Sequence, residues 1–220
     1  MSGAVRLFGI IAEDWGNGGR DAGLPAKTMP VVFRDLAAVI GEAPGTGGWR
    51  RTPAPPNLDA HRRVVEDLFA KHSVLPVPPG VVFRSSDAVV RWLEIHYAAL
   101  SDALAYVDGR AEARVHVEAR AGGHGVGDGS AEHRRIELDA VSGAVFKALA
   151  ATAVGWCTLP APKGAVGDVT AVSASFLVDR AQWPQFEAAV AAEGTRDPSL
   201  GVWASGPWPP YDFVRMQFGG

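Results

Sequence analysis

A single cysteine, Cys157, stands in 220 residues. It cannot close an internal disulfide or build a cysteine-rich metal site, so the cytosol is the expected compartment. No apolar run approaches the roughly 18 residues of a spanning helix, and Arg6 breaks the short apolar start with no cleavage pattern behind it. Neither a membrane span nor an export signal is expected. Charge of one sign is also lacking: the formal net charge is −3, which supplies no basic field for a phosphate backbone and excludes nucleic acid as a partner. What is present is ample apolar material, 47% hydrophobic against 20% charged residues, so the chain folds around a core and is not disordered as a whole.

Glycine and proline punctuate the chain. Residues 5–12 read as a first strand that runs into a loop at Asp14, Gly16, Asn17, Gly18 and Gly19. A second extended stretch, 29–33, continues toward Leu36 to Ile40, where the alanine content leaves strand and helix undecided. Residues 42–56 crowd glycines and prolines into a long loop. Asn57 caps a helix with Leu58, Val65, Leu68 and Phe69 on one stripe, and His61 falls on that stripe. Residues 73–83 read as a strand broken by Pro76, Pro78 and Pro79, which places it at an edge or a bulge. A long helix capped by Ser86 or Asp87 follows Val89, Leu93, Tyr97, Leu100, Leu104 and Val107, and stops at a left-handed Gly109. From Ala111 to Glu118 small apolar residues alternate with Glu112, Arg114, His116 and Glu118, the period of a strand with one wet face.

Five glycines between 121 and 130 mark a linker, so the expected division is an N-terminal α+β domain at 1–120, a glycine-rich linker at 121–135 and a C-terminal α+β domain at 136–220. In the second, Leu138, Val141, Val145 and Leu149 make a helical stripe, 169–178 is a strand, Pro184 opens a short helix to Gly194, and a last strand starts near Val202. The expected fold is α+β: two small domains, each an antiparallel sheet with helices on one face.

Chemistry-bearing patterns are weak. The glycine-rich spans lack the lysine-serine or lysine-threonine ending of a phosphate loop. His124, Asp128 and His133 sit in or beside a glycine segment that does not preorganise metal ligands. Cys157 beside Trp156 reads as a small core thiol, and His61 as a core histidine hydrogen-bonded to backbone. A different class of function, a small-molecule-binding protein or enzyme, would need a pocket against the sheet lined by His61, Trp92, His96 and Tyr97.

The distinctive feature is the ending Gly206-Pro207-Trp208-Pro209-Pro210-Tyr211-Asp212-Phe213-Val214. Its prolines restrict φ, so the rings of Trp208 and Tyr211 are held with little freedom to lose on contact, which suits a recognition surface. Pro207, Trp208, Pro209, Pro210, Tyr211 and Phe213 are the candidate partner-binding residues, with His61, Gly80 and Gly206 in structural roles. This ending resembles, position by position, the signature of the gas vesicle protein F/L family. The resemblance extends upstream through Leu7-Phe8-Gly9-Ile10, Asp35-Leu36-Ala37-Ala38-Val39-Ile40, the His61 helix, Val74-Leu75-Pro76-Val77 and Gly80-Val81-Val82-Phe83. Pro78-Pro79 replace the family's usual Arg-Phe, and the middle region is short. The resemblance implies two α+β domains, the first modified and the second a more regular ferredoxin-like unit, with no enzymatic activity and no cofactor. It also implies a cytoplasmic, vesicle-associated assembly or minor shell protein whose partners are the small apolar shell subunit and other gas vesicle accessory proteins.

Overall fold

The computed structural model describes residues 3–13, 23–43, 57–120, 131–160, 171–214 and 216. The loop expected at 14–19, the loop expected at 42–56 apart from its first two residues, and the glycine segment 121–130 with His124 and Asp128 lie outside the described residues; Glu42, expected to open that loop, is instead the last residue of a strand. The chain divides into two compact units, one made of residues 1–108 together with 209–220, the other of residues 109–208.

The first unit contains β1 (Val5–Ala12), β2 (Met29–Phe33), β3 (Leu36–Glu42), α1 (Leu58–Phe69), β4 (Val74–Pro76), β5 (Val82–Phe83) and α2 (Ser86–Val107). The undecided stretch at Leu36 is a strand, because Arg34 adopts a left-handed φ of 55° and turns β2 back onto β3 as a hairpin. β1 pairs antiparallel with β3 on one side and with β4 and β5 on the other. The proline-broken segment is therefore an edge, as the missing N–H groups require. β1 carries large apolar residues on both faces. Leu7 and Ile10 join Ala38 and Ile40 against the α2 stripe Val89, Leu93, Leu100 and Leu104. On the other face Phe8 meets the His61 ring of α1 at 5.2 Å, and Val65, Leu68 and Phe69 of the same helix are buried. The helices of this unit thus lie on opposite faces of the sheet, not on one. The cause is composition: a central strand with no polar face needs cover on both sides.

Local chemistry ends the helices where it should. The Asn57 side chain accepts from the Ala60 N–H at 3.0 Å. Ser85, one residue before the expected cap, accepts from Ala88 N–H at 3.3 Å, and Gly109 follows α2 at a φ of 66°.

The second unit contains β6 (Arg110–Ala119), α3 (Ala131–Leu149), β7 (Gly155–Thr158), β8 (Ala171–Asp179), α4 (Trp183–Arg196) and β9 (Leu200–Trp208). Its antiparallel sheet has the order β7-β8-β6-β9, which with two helices in βαββαβ sequence is the ferredoxin-like arrangement. This corrects the expected division. β6 does not close the first domain; it pairs with β8 and β9 and is the inner first strand of the second. Residues 131–135, assigned to the linker, are the first turn of α3. From Pro209 on, the ending assigned to the second domain belongs to the first unit, where Val214 and Met216 pack on its core. Glycine content marks where a chain is unstructured locally, whereas unit membership follows strand pairing, which composition does not report.

Two smaller corrections concern this unit. Val141 is exposed, and Ser142 and Phe146 take the inward positions of α3 with Leu138, Val145 and Leu149. β7 is a strand that the sequence reading left out, because it is four residues long and begins at a glycine. Both helices cover the face carrying Ala113, Val115, Phe176 and Val178. No helix among the described residues is long and apolar enough to cross a membrane.

Because Val214 and Met216 pack on the core of the first unit, truncation after Trp208 is expected to weaken amide-exchange protection in β1, β3 and α2 while leaving α3 and α4 protected. Hydrogen exchange read by mass spectrometry checks this; loss confined to α3 and α4 would return the ending to the second unit.

Candidate functional site

The C-terminal motif is shaped by a bulge. Along β9 the register with β6 runs from Ala119↔Leu200 to Arg114↔Ser205 and then slips, so that Trp208 faces Glu112 and the extra residue lies within Gly206-Pro207. Gly206 has a φ of 136°, and a β-carbon there would lie 2.7 Å from the Glu112 carbonyl oxygen and 2.9 Å from the Trp183 ring. Both the backbone angle and the space demand glycine. The Gly206–Pro207 peptide is cis. The Trp208 indole N–H donates to Ser205 Oγ at 3.2 Å, which ties the ring back to its own strand.

Beyond Trp208 the chain turns. The Tyr211 N–H donates to the Pro209 carbonyl at 2.7 Å and the Phe213 N–H to the Pro210 carbonyl at 3.3 Å. The motif is thus a bulged strand end followed by a turn, and not a continuous polyproline ribbon. Pro209 and Pro210 are buried, whereas Pro207 is exposed and Trp208, Tyr211 and Phe213 are half-buried. Burial withdraws Pro209 and Pro210 from any contact surface. Prolines suit such burial because they carry no N–H that must be satisfied.

The strand facing the motif carries a group the sequence reading misplaced. Glu112, assigned to a wet face, is fully buried. Its carboxylate accepts from Arg114 Nε at 2.8 Å and from Ser175 Oγ at 3.4 Å. Its neighbours on that face follow the expected pattern more closely. His116 is half-buried, its Nδ1 lies 2.8 Å from Ser173 Oγ, and its ring stacks on Trp203 at 5.3 Å. Alternation locates a face but not how deeply each position on it is covered, so only the tertiary structure reveals the Glu112 pair.

His61 and Gly80 lie in the first unit. His61 Nε2 is 2.8 Å from the Val77 carbonyl, which ties α1 to the loop after β4. Burial, and to a smaller extent the Arg6 charge, hold the imidazole below its ordinary value of 6.5, partly offset by the bond to Val77. Gly80 turns the chain between β4 and β5 at a φ of 95°. The pocket expected for a small-molecule enzyme does not assemble. His61 is on the α1 face of the sheet, while Tyr97 packs edge-on against Phe33 at 5.9 Å on the α2 face and donates to Asp35 at 2.6 Å. Trp92 and His96 meet each other at 5.2 Å along α2. Cys157 is half-buried on β7. No three His, Cys, Asp or Glu side chains among the described residues converge as metal ligands.

Two expected outcomes follow from this geometry. Gly206→Ala is expected to lower stability by at least about 1 to 3 kcal/mol, through φ strain alone and more through the clash, as read by thermal or urea unfolding. The His61 effect is pH-dependent. An imidazole whose proton affinity is lower folded than unfolded contributes stability above roughly pH 6.5 and loses it as pH falls below that value. His61→Gln should therefore flatten the part of the stability profile just below about pH 6.5, and an unchanged slope would assign that part to other groups.

Comparison with known proteins places this geometry among relatives. The family model described as gas vesicle synthesis protein GvpL/GvpF matches residues 5–124 and 126–215. The chain is 28% identical over 196 residues to gas vesicle protein F2 of Halobacterium salinarum, covering 88% of this chain and 82% of that protein. It is also 28% identical over 219 residues to gas vesicle protein L of a Streptomyces species, covering 83% and 81%. In fold it is similar to the crystal structure of GvpF from Anabaena sp. PCC7120, with a TM-score of 0.73 at 18% identity over 98% of both chains. GvpF from Microcystis aeruginosa gives a TM-score of 0.68 at 16% identity over 97% and 99%.

Proposed function

The chain belongs to the gas vesicle GvpL/GvpF family, and we propose on that premise that it is a cytoplasmic, non-catalytic assembly or minor shell protein that holds the small apolar shell subunit and meets other gas vesicle accessory proteins. The observation that carries this reading is the C-terminal motif. Half-buried Trp208 and Tyr211 flank buried Pro209 and Pro210 in the chain, next to a bulge that admits only glycine at 206. Rings held in this way lose little freedom when another surface covers them.

The physical need is clear. A shell subunit with a face that will later meet gas exposes apolar surface in water and aggregates unless it is covered or delivered at once to the growing wall. A partner offering pre-set aromatic rings covers part of that face reversibly. In this proposal Pro207, Trp208, Tyr211 and Phe213 make the contact, while Gly206, Pro209 and Pro210 hold them in place. No reaction is assigned to His61 or Cys157, and Cys157→Ala should leave partner binding intact.

The two rings are separable by experiment. Trp208 is bonded to its own strand and only half-buried, so Trp208→Ala is expected to cost about 2 kcal/mol of stability, below the roughly 3 to 5 of a fully buried ring. Tyr211→Ala is expected to lower melting less than Trp208→Ala does and to weaken binding of the purified shell subunit about thirtyfold, a loss near 2 kcal/mol. Melting and titration on both variants decide the matter: full affinity in well-folded Tyr211→Ala removes the motif from the interface.

A further inference from the structure

The second exposed stripe of α2 and the short strand β5 enclose a groove of about 760 Å³ in the first unit. Its floor is apolar yet open: Ile95 is 76% and Val82 52% exposed. Phe83, Trp92 and His96 form a ring ladder along it, with centroids 5.8 and 5.2 Å apart. The ionised groups lining it are Arg84 and Arg91, both exposed. Neither guanidinium closes an ion pair among the described residues, although Asp87 and Glu94 lie one turn to either side of Arg91 on the same helix. A chain of net negative charge thus sets two cations with no ion-pair partner among the described residues beside its exposed isoleucine.

We propose that this groove, independently of the C-terminal motif, docks an amphipathic helix of a partner protein whose apolar stripe is bordered by Asp or Glu. The spacing argues for a helix. Ala88, Arg91, Trp92, Ile95 and His96 recur at three and four residues, a stripe distinct from the core stripe Val89, Leu93 and Leu100, and span roughly 13 Å, or two to three turns. An added strand fits less well, because β5 offers only two residues of edge and the preceding Pro78 and Pro79 have no N–H to donate. Charge selects the occupant: carboxylates on the docked helix meet Arg84 and Arg91, whereas a basic helix would place like charges together.

The test uses the full chain and two labelled synthetic helical peptides of roughly five turns, identical in their leucine stripe and bordered by Glu in one and Lys in the other, followed by fluorescence anisotropy. The Glu peptide is expected to bind saturably and at least roughly tenfold more tightly than the Lys peptide, with affinity falling as salt rises. Arg84→Glu with Arg91→Glu should reverse the preference, and Ile95→Asp should abolish binding of both. If the double reversal unfolds the chain, Arg84→Gln with Arg91→Gln should erase the preference instead. Equal affinity for the two peptides, insensitivity to either double variant, or no saturable binding overturns the proposal. Self-association of the chain that Ile95→Asp dissociates would seat a second copy in the groove and overturn it as well. Tyr211→Ala should leave peptide binding unchanged, which separates this surface from the C-terminal one.

Discussion

The pairing of β9 with β6 is the constraint on which the C-terminal motif depends. β6 is an inner strand, so its second edge must be filled, and the chain's last strand fills it. That pairing brings Gly206 onto the Glu112 carbonyl and Trp208 opposite Glu112, and it fixes where the chain must turn once the strand ends. Without it the prolines would restrict a loose tail; with it Pro209 and Pro210 follow the end of a paired strand. β6 also holds the buried carboxylate of Glu112, which is tolerable only because Arg114 and Ser175 satisfy it.

The first unit solves a different problem. A central strand that is apolar on both faces is unusual for an antiparallel sheet, and here α1 and α2 cover the two faces separately. α1 makes its contact with a histidine where an aliphatic residue would also fill space. The imidazole adds a bond to the Val77 carbonyl, so the helix is tied to the loop joining β4 and β5 as well as packed. The proline-rich edge follows from the same arrangement: it ends the sheet with residues that cannot donate to a further strand.

The two surfaces proposed for partners rest on unlike physics. The C-terminal one is aromatic and pre-set, and its selectivity comes from shape and burial. The groove beside α2 is apolar with a cationic border, and its selectivity comes from sign of charge, which also makes it the one sensitive to salt. In the proposed role, covering an apolar wall subunit and meeting soluble accessory partners would call on both kinds of contact.

Much of this was legible in the residues. The helices at Leu58 and Ser86 announced themselves through period and caps, the proline-broken edge through its missing donors, and the family through an ending whose nine positions follow one pattern. What pattern could not supply was long-range pairing. The alternation of residues 111–118 identified a strand but carried no information about which sheet would take it, and the glycines after it drew the boundary to the wrong side. Glu112 looked solvated for the same reason, since period two assigns a face and depth depends on neighbours distant in sequence. Spacing on α2 marked its core stripe, while the groove appeared only when β5 was laid beside the other stripe. Local structure follows from each residue's own backbone and side-chain preferences, so the sequence by itself determined the family and the strongly patterned elements, though not Leu36–Glu42 or the short β7. Strand partners, buried charge and open grooves depend on contacts between segments far apart in the chain, and those only the tertiary structure decided.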